Sequence, residues 1–201
     1  MKKIIEIGLS LFLLAVSVNA QNSADKVLRV LQDKFKSAKN ISADFVQTTN
    51  GKVNLTGKFY YEKDNKLRLE FKNLLIVTDG QTSWNYNKRE NKVIISSYNP
   101  DDPSYFSLKQ IIEGYPSKCD VSLSKDNGSD VLVLTPNKPG LNFKTAKIWL
   151  NPDNLISKIM LTDQNNALVQ VNFSNYKLDS SLNKSTFIFT PPKGSKVIDL
   201  R

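Results

Sequence analysis

The chain predicts a mainly β fold with helices, of the α+β class. About eleven short antiparallel strands in one domain curl toward a barrel or half-barrel, and two amphipathic helices lie over the cup as a lid. Three observations predict it. Apolar and polar residues alternate with a period of two from Ile41 nearly to the C terminus. Turn signals such as Asn50-Gly51, Asp79-Gly80 and Asn127-Gly128 recur at near-regular spacing. Helical spacing of apolar residues occurs only at Ser23–Ala38 and around Tyr105–Glu113.

In chain order, Lys2 and Lys3 precede an apolar stretch from Ile7 to Val18 and the small-residue end Val18-Asn19-Ala20. This reads as a secretory signal cut after Ala20, because the apolar core is too short for a membrane span of roughly 20 residues. Residues 21–201 then form the single exported domain. In the first helix Val27, Leu28, Leu31 and Phe35 make one apolar stripe, with Ser23 placed to cap it. Strands are expected at Ile41–Phe45 and onward to the Asn50-Gly51 turn, and at Val53–Tyr61, where Val53, Leu55, Gly57, Phe59 and Tyr61 share a face. Leu67, Leu69 and Phe71 alternate with Lys66, Arg68 and Glu70. Leu74–Thr78, Thr82–Tyr86 and Val93–Ser97 follow. Asp102-Pro103 starts the second helix, with Tyr105, Leu108, Ile111 and Ile112 on its apolar side and Gly114 ending it. The remaining strands are Cys119–Ser124, Asp130–Thr135, Thr145–Leu150, Ile156–Thr162, Ala167–Tyr176 and Thr186–Thr190. The apolar sides of both helices must be buried, and the inner face of the curled sheet is the available place.

Composition removes whole classes of chemistry. The 201 residues contain no His and one cysteine, Cys119. A Ser-His-Asp triad, a Cys-His dyad, a His-ligated metal and an intrachain disulfide are therefore excluded. No P-loop, GxGxxG, GxSxG or HExxH pattern occurs. Asp79, Asp101, Asp102 and Asp153 sit in turn signals, where Asp serves backbone hydrogen bonds. The spacings Ser122–Lys125 and Ser181–Lys184 start no helix and so make poor nucleophile pairs. The net charge of +9 is spread along the chain without a nucleic-acid-binding motif, so no nucleic acid is expected. Neither an enzyme, a cofactor nor a metal is expected.

Trp84, Tyr86, Tyr60, Tyr61, Phe59 and Phe71 form an aromatic cluster early in the sheet. They read as ordinary core or as the lining of an apolar ligand cavity, a common use of barrel mouths. The candidate cavity set is Phe45, Leu55, Phe59, Tyr61, Leu67, Leu69, Phe71, Trp84 and Tyr86. The candidate lid set is Leu28, Leu31, Leu108, Ile111 and Ile112.

Three segments carry a family resemblance. They are Ser42-Ala43-Asp44-Phe45-Val46-Gln47 with Gly57-Lys58-Phe59-Tyr60-Tyr61, then Val77-Thr78-Asp79-Gly80-Gln81-Thr82-Ser83-Trp84-Asn85-Tyr86-Asn87, and Phe187-Ile188-Phe189-Thr190-Pro191-Pro192-Lys193-Gly194. In this order and spacing they resemble the LolA family of periplasmic lipoprotein carriers. The resemblance implies an unclosed antiparallel β-barrel under a helical lid, with a cavity for the acyl chains of lipoproteins. It implies a periplasmic, monomeric carrier loaded by an inner-membrane ABC exporter of LolCDE type and unloaded to an outer-membrane acceptor, LolB-like where one exists. Carriage of other acylated molecules, such as glycolipids or pigment esters, and a lipoprotein-binding stress sensor are the alternatives. The family often has a lid-binding Arg-Pro where this chain has Lys63 and Asp64, which makes Lys63 the latch candidate. The aromatic that the family places shortly afterwards is here Leu67.

Overall fold

The computed structural model describes residues 23–99 and 109–201. The predicted signal segment and the start of the second helix, including Leu108, lie outside the described residues. Residues 23–37 form helix α1. Twelve strands follow among the described residues: β1 (Asn40–Thr49), β2 (Lys52–Glu62), β3 (Lys66–Phe71), β4 (Leu74–Thr78), β5 (Thr82–Asn87), β6 (Lys92–Ser97), β7 (Cys119–Asp126), β8 (Ser129–Pro136), β9 (Phe143–Leu150), β10 (Ile156–Asp163), β11 (Leu168–Leu178) and β12 (Lys196–Asp199). Before β7 the chain makes a π-helical turn, Gln110–Gly114, and a 3-10 turn, Pro116–Lys118. The hydrogen-bonded strand order ends on β12 and on β7, and the sheet is unclosed.

The chain divides into two compact units, one ending at Phe35 and resuming over Lys109–Leu168, the other formed by Lys36–Leu108 and Val169–Arg201. In the first, β10, β9, β8 and β7 pair as an antiparallel meander. The register lines up Ile159, Ile148 and Leu132 in one row, and all three are buried. On the opposite face Trp149 donates its indole N–H to Asp126 Oδ2 at 2.8 Å, and Lys158 Nζ lies 3.6 Å from its ring centroid. Leu31 and Phe35 of α1 are buried, as are Ile111 and Ile112. Gln32 Nε2 donates to the carbonyl of Ile112 at 3.0 Å, which ties α1 to the π-helical turn.

The second unit orders its strands β12-β6-β5-β4-β3-β2-β1-β11. Its hairpin turn has positive φ at Asn50 (49°) and Gly51 (79°), as the Asn-Gly signal requires. At the β4–β5 hairpin Asp79 Oδ1 accepts from the backbone N–H groups of Gln81 and Thr82. Residues directly opposite in an antiparallel pair share a face. One face therefore carries the row Ala43, Phe59, Leu69, Ile76. The other carries Lys177, Ser42, Tyr60, Arg68, Val77, Trp84, Ile95.

Both faces bury side chains. The first hides Phe59, with rings of Phe173 and Tyr176 edge-on at 5.9 and 6.3 Å. The second is covered by the C-terminal segment. Phe187 is buried there, Phe189 packs 5.7 Å from Tyr86, and Arg68 Nη1 donates to the Thr186 carbonyl. Asn91 pins the end of the segment by donating to the Gly194 carbonyl and accepting from Ser195 Oγ.

Two expectations are corrected here. Thr186–Thr190 is not a strand: Asn183 closes a turn onto Thr186 and Ser185, and Pro191-Pro192 beyond it have no N–H to give a ladder. The pairing is not antiparallel throughout, because β12 runs parallel to β6, Val197 beside Val93. A four-residue strand after Gly194 is too short to show a period.

Burial pushes the Tyr176 phenol well above its ordinary value of 10.0. Above that pH the unfolded chain ionises while the folded one stays neutral. Stability contributed by the neutral form is full below pH 10 and is lost as pH rises, by up to about 1.4 kcal/mol per pH unit. Tyr176→Phe should flatten the alkaline fall in melting temperature between about pH 10 and 11. Equal slopes in the two proteins would show that this phenol titrates freely.

Candidate functional site

The first face of the second unit holds an apolar pocket of about 210 Å³. Phe45 and Gln47 of β1, Leu55 of β2, Leu69 and Phe71 of β3, Leu74 and Ile76 of β4, and Val171 of β11 line it. No ionisable side chain is among them, and Gln47 is the single polar one. The volume lies below the roughly 300–1,000 Å³ of small-molecule pockets. It suits a section of an alkyl chain.

A missing side chain makes this pocket. Register places Gly57 directly between Phe45 on β1 and Phe71 on β3. With nothing at Gly57, the two rings meet over it in a T at 5.5 Å and 85°. Such a pair is worth about 0.5–1.5 kcal/mol beyond its buried area. A Cβ on Gly57 would run into the Glu70 carbonyl oxygen and lie 3.1 Å from Phe45 Cζ.

Of the candidate cavity residues, Phe45, Leu55, Leu69 and Phe71 line the pocket. Phe59, Tyr61 and Leu67 share its face, with Phe59 and Leu67 buried beside it. Leu55 stands at the pocket's outer end, 39% exposed, where β2 runs out toward its hairpin. Val53 does not share this face as the alternation predicts, because the register shifts between Gln47 and Thr48 and sets Val53 opposite Thr48. Trp84 and Tyr86 are parted from this group. They face the other side of the sheet, where Tyr86 meets Phe189 and gives its hydroxyl proton to Asn91 Oδ1. Of the lid candidates, Leu28 is half-buried and Leu31, Ile111 and Ile112 are buried in the first unit. Lys63 lies in the exposed β2–β3 turn, where its backbone N–H reaches the Lys39 carbonyl at 3.4 Å.

Gln47, Leu74, Ile76 and Val171 were not legible as site residues. Leu74-Leu75-Ile76-Val77 is a continuous apolar run, in which alternation cannot say which residue faces which way. Val171 joins the pocket only through the pairing of β11 with β1, 124 positions apart in the register Gln47 to Val171.

The structure is thus an unclosed β-sheet protein with a charge-free apolar pocket on one face. Comparison with known proteins narrows this class. The family model described as outer membrane lipoprotein carrier protein LolA matches residues 36–190, and the chain belongs to that family. It is 25% identical to the outer-membrane lipoprotein carrier protein of Francisella tularensis subsp. novicida (strain U112), over 99% of this chain and 98% of that one. It is 28% identical to the protein of the same name from Neisseria meningitidis serogroup C, over 92% of each. Uncharacterized protein MJ0687 of Methanocaldococcus jannaschii is 25% identical over 94% of this chain, which spans only 59% of that longer protein. The crystal structure of an uncharacterized conserved protein from Thermus thermophilus shares the fold, with TM-score 0.61 and 16% identity over 88% of this chain and 99% of the other. No helix of the described residues is long and apolar enough to cross a membrane.

Gly57→Ala should lower stability by about 1–3 kcal/mol, because backbone rather than a flexible side chain blocks the added methyl. The same variant should weaken binding of an apolar dye, since Phe45 must turn away from Phe71. Unchanged melting and dye binding would show that the strands part without cost at this point.

Proposed function

We propose that this protein carries the acyl chains of lipoproteins across the periplasm, from the inner to the outer membrane, as a non-catalytic monomer exported behind a cleaved signal segment at residues 1–20. The observation that carries this reading is the charge-free pocket bounded by the Phe45–Phe71 pair, in a chain of the LolA family. Loading by an ABC exporter of LolCDE type and delivery to a LolB-like acceptor follow from the same reading.

Each methylene taken from water is worth about 0.8 kcal/mol. A carrier takes its chain from a bilayer and returns it to one, so the relevant difference is between two apolar surroundings and is small. That is the condition for release. The partly exposed Leu55 at the pocket lip gives the end of a chain an apolar place to enter.

The test is binding of a fluorescent acyl probe to the delipidated protein, with acylated peptide as competitor. Leu55→Asp puts a charge at the pocket lip in a residue already 39% exposed, so folding should persist while probe affinity falls at least about tenfold. In cells, depletion should leave lipoproteins in the inner membrane. Probe binding with normal lipoprotein sorting would instead assign the pocket to a glycolipid or pigment ester. Absence of probe binding would remove every acyl-carrier reading.

We propose Lys63 as the latch because it directly follows β2, where the family often has its lid-binding Arg. A release assay with one acylated cargo and acceptor should show slower release for Lys63→Arg, whose planar fork holds carbonyls more firmly, and loss of control for Lys63→Leu. Equal release by all three would place the latch elsewhere.

A further inference from the structure

A second, larger concavity of about 570 Å³ lies on the opposite face of the same unit, where the segment around Ser181 leaves β11 and passes over β1 and β2. Unlike the apolar pocket it carries charged and hydroxyl side chains, beside Ala43, Phe59 and Leu182. Ser42, Asp44, Lys58, Tyr60, Lys177 and Ser181 line it. Register puts Tyr60, Ser42 and Lys177 side by side on three adjacent strands, with neighbouring Cβ atoms about 4.5–5.5 Å apart. Lys58 and Asp44 form the next row, their charged atoms 3.8 Å apart.

Two features shape the chemistry of this cleft. The hydroxyls of Tyr60, Ser42 and Ser181 and the ammonium of Lys177 have no hydrogen-bond or ion-pair partner among the described residues. A β-bulge falls between Ser42 and Asp44, with Asn175 opposite at φ 54° donating its amide to Asp44 Oδ2 at 2.7 Å. Bulges re-aim side chains and are enriched beside binding sites. Here Asn175 holds Asp44 at the bulge, and Lys177, two residues further along β11, lines the same cleft.

We propose that this cleft binds a phosphate monoester or diester carried on a small polyol, of the glycerophosphate class. The lining holds two ammonium groups and one carboxylate, a net single positive charge. Three hydroxyls and a point-like ammonium approach from different strands. That set suits a tetrahedral oxyanion with several acceptors, whereas a planar carboxylate is matched by an arginine fork. The Asp44 carboxylate offers an acceptor for a ligand hydroxyl, so glycerol 3-phosphate should bind better than inorganic phosphate. The volume falls within the roughly 300–1,000 Å³ of small-molecule sites. The ammonium and carboxylate groups of its lining set the cleft apart from the charge-free pocket, and the proposal does not depend on the carrier reading. The same chemistry is present in a free glycerophosphate and in a phospholipid headgroup.

The experiment titrates the whole folded protein at low salt with inorganic phosphate and glycerol 3-phosphate, by calorimetry or amide chemical shifts. In parallel it is sedimented with vesicles of phosphatidylcholine alone or with phosphatidylglycerol. Glycerol 3-phosphate should bind with Kd on the order of 1 mM or tighter. Lys177→Met and Tyr60→Phe should each weaken it at least about fivefold, while Lys72→Met, outside the cleft, should not. Saturable binding of the free molecule with this pattern supports a soluble ligand. Binding only to phosphatidylglycerol vesicles, with the same pattern, supports the headgroup source. Three outcomes overturn the proposal: no binding of either probe, an equal loss in Lys72→Met, which would mean diffuse charge attraction, or displacement of a bound acyl probe by glycerol 3-phosphate, which would place the anion in the apolar pocket.

Discussion

The T-shaped pair of Phe45 and Phe71 across Gly57 is the contact on which the apolar pocket depends. Three strands must be in one register for it to form, because Gly57 has to fall opposite both rings at once. A slip of one residue on β2 would bring Lys58 or Thr56 between the rings and move the pocket's lining to the other face. The same close approach explains the tight fit at Gly57 itself, where the β3 backbone at Glu70 occupies the space of a side chain. Ring contact over a glycine thus does two things. It pins the register of β1, β2 and β3, and it builds a wall that carries no polar atom.

From that register the other face follows without further choice. Side chains alternate, so fixing Phe45, Gly57 and Phe71 on one face fixes Asp44, Lys58 and Glu70 on the other. The second face cannot remain open along its whole length, because Val77, Trp84 and Ile95 extend the row. The C-terminal segment covers that apolar end with Phe187 and Phe189 and is held by polar pins at Arg68 and Asn91. The covering stops where the row turns polar. At Tyr60, Ser42 and Lys177 a cleft remains. One sheet therefore presents two concavities of opposite chemistry on its two sides.

How much of this was legible in the sequence depended on whether a signal was local. The Asn50-Gly51 and Asp79-Gly80 turns, α1, and nearly all strands were readable, since period and turn chemistry act within a few residues. Leu67, Leu69 and Phe71 revealed their face because charged residues alternate with them. Trp84 and Tyr86 were misleading for a physical reason: they too alternate with polar residues, but here the polar partners are the hidden ones. Ser83 is 1% exposed, opposite Thr78 at 0%, while Tyr86 packs against Phe189 of the C-terminal segment. Alternation tells that two sets of side chains part; when both faces are covered it does not tell which set lines the pocket. The parallel pairing of β12 was equally unreadable, because it joins Val197 to Val93 across most of the chain.

The absence of reactive groups from the pocket sets what this face can do. With no ionisable side chain in the lining, nothing there can move a proton, attack a bond or select a headgroup. What remains is exclusion of water from an apolar surface, which is non-directional and roughly proportional to area. Such a site cannot be specific through its own contacts. Selectivity then has to come from delivery or from polar chemistry elsewhere on the chain. The donors around Tyr60 and Lys177 are polar chemistry of that kind, on the strands that also build the pocket. A ligand bound there bears on β1 and β2, which hold Phe45 and Gly57 in register.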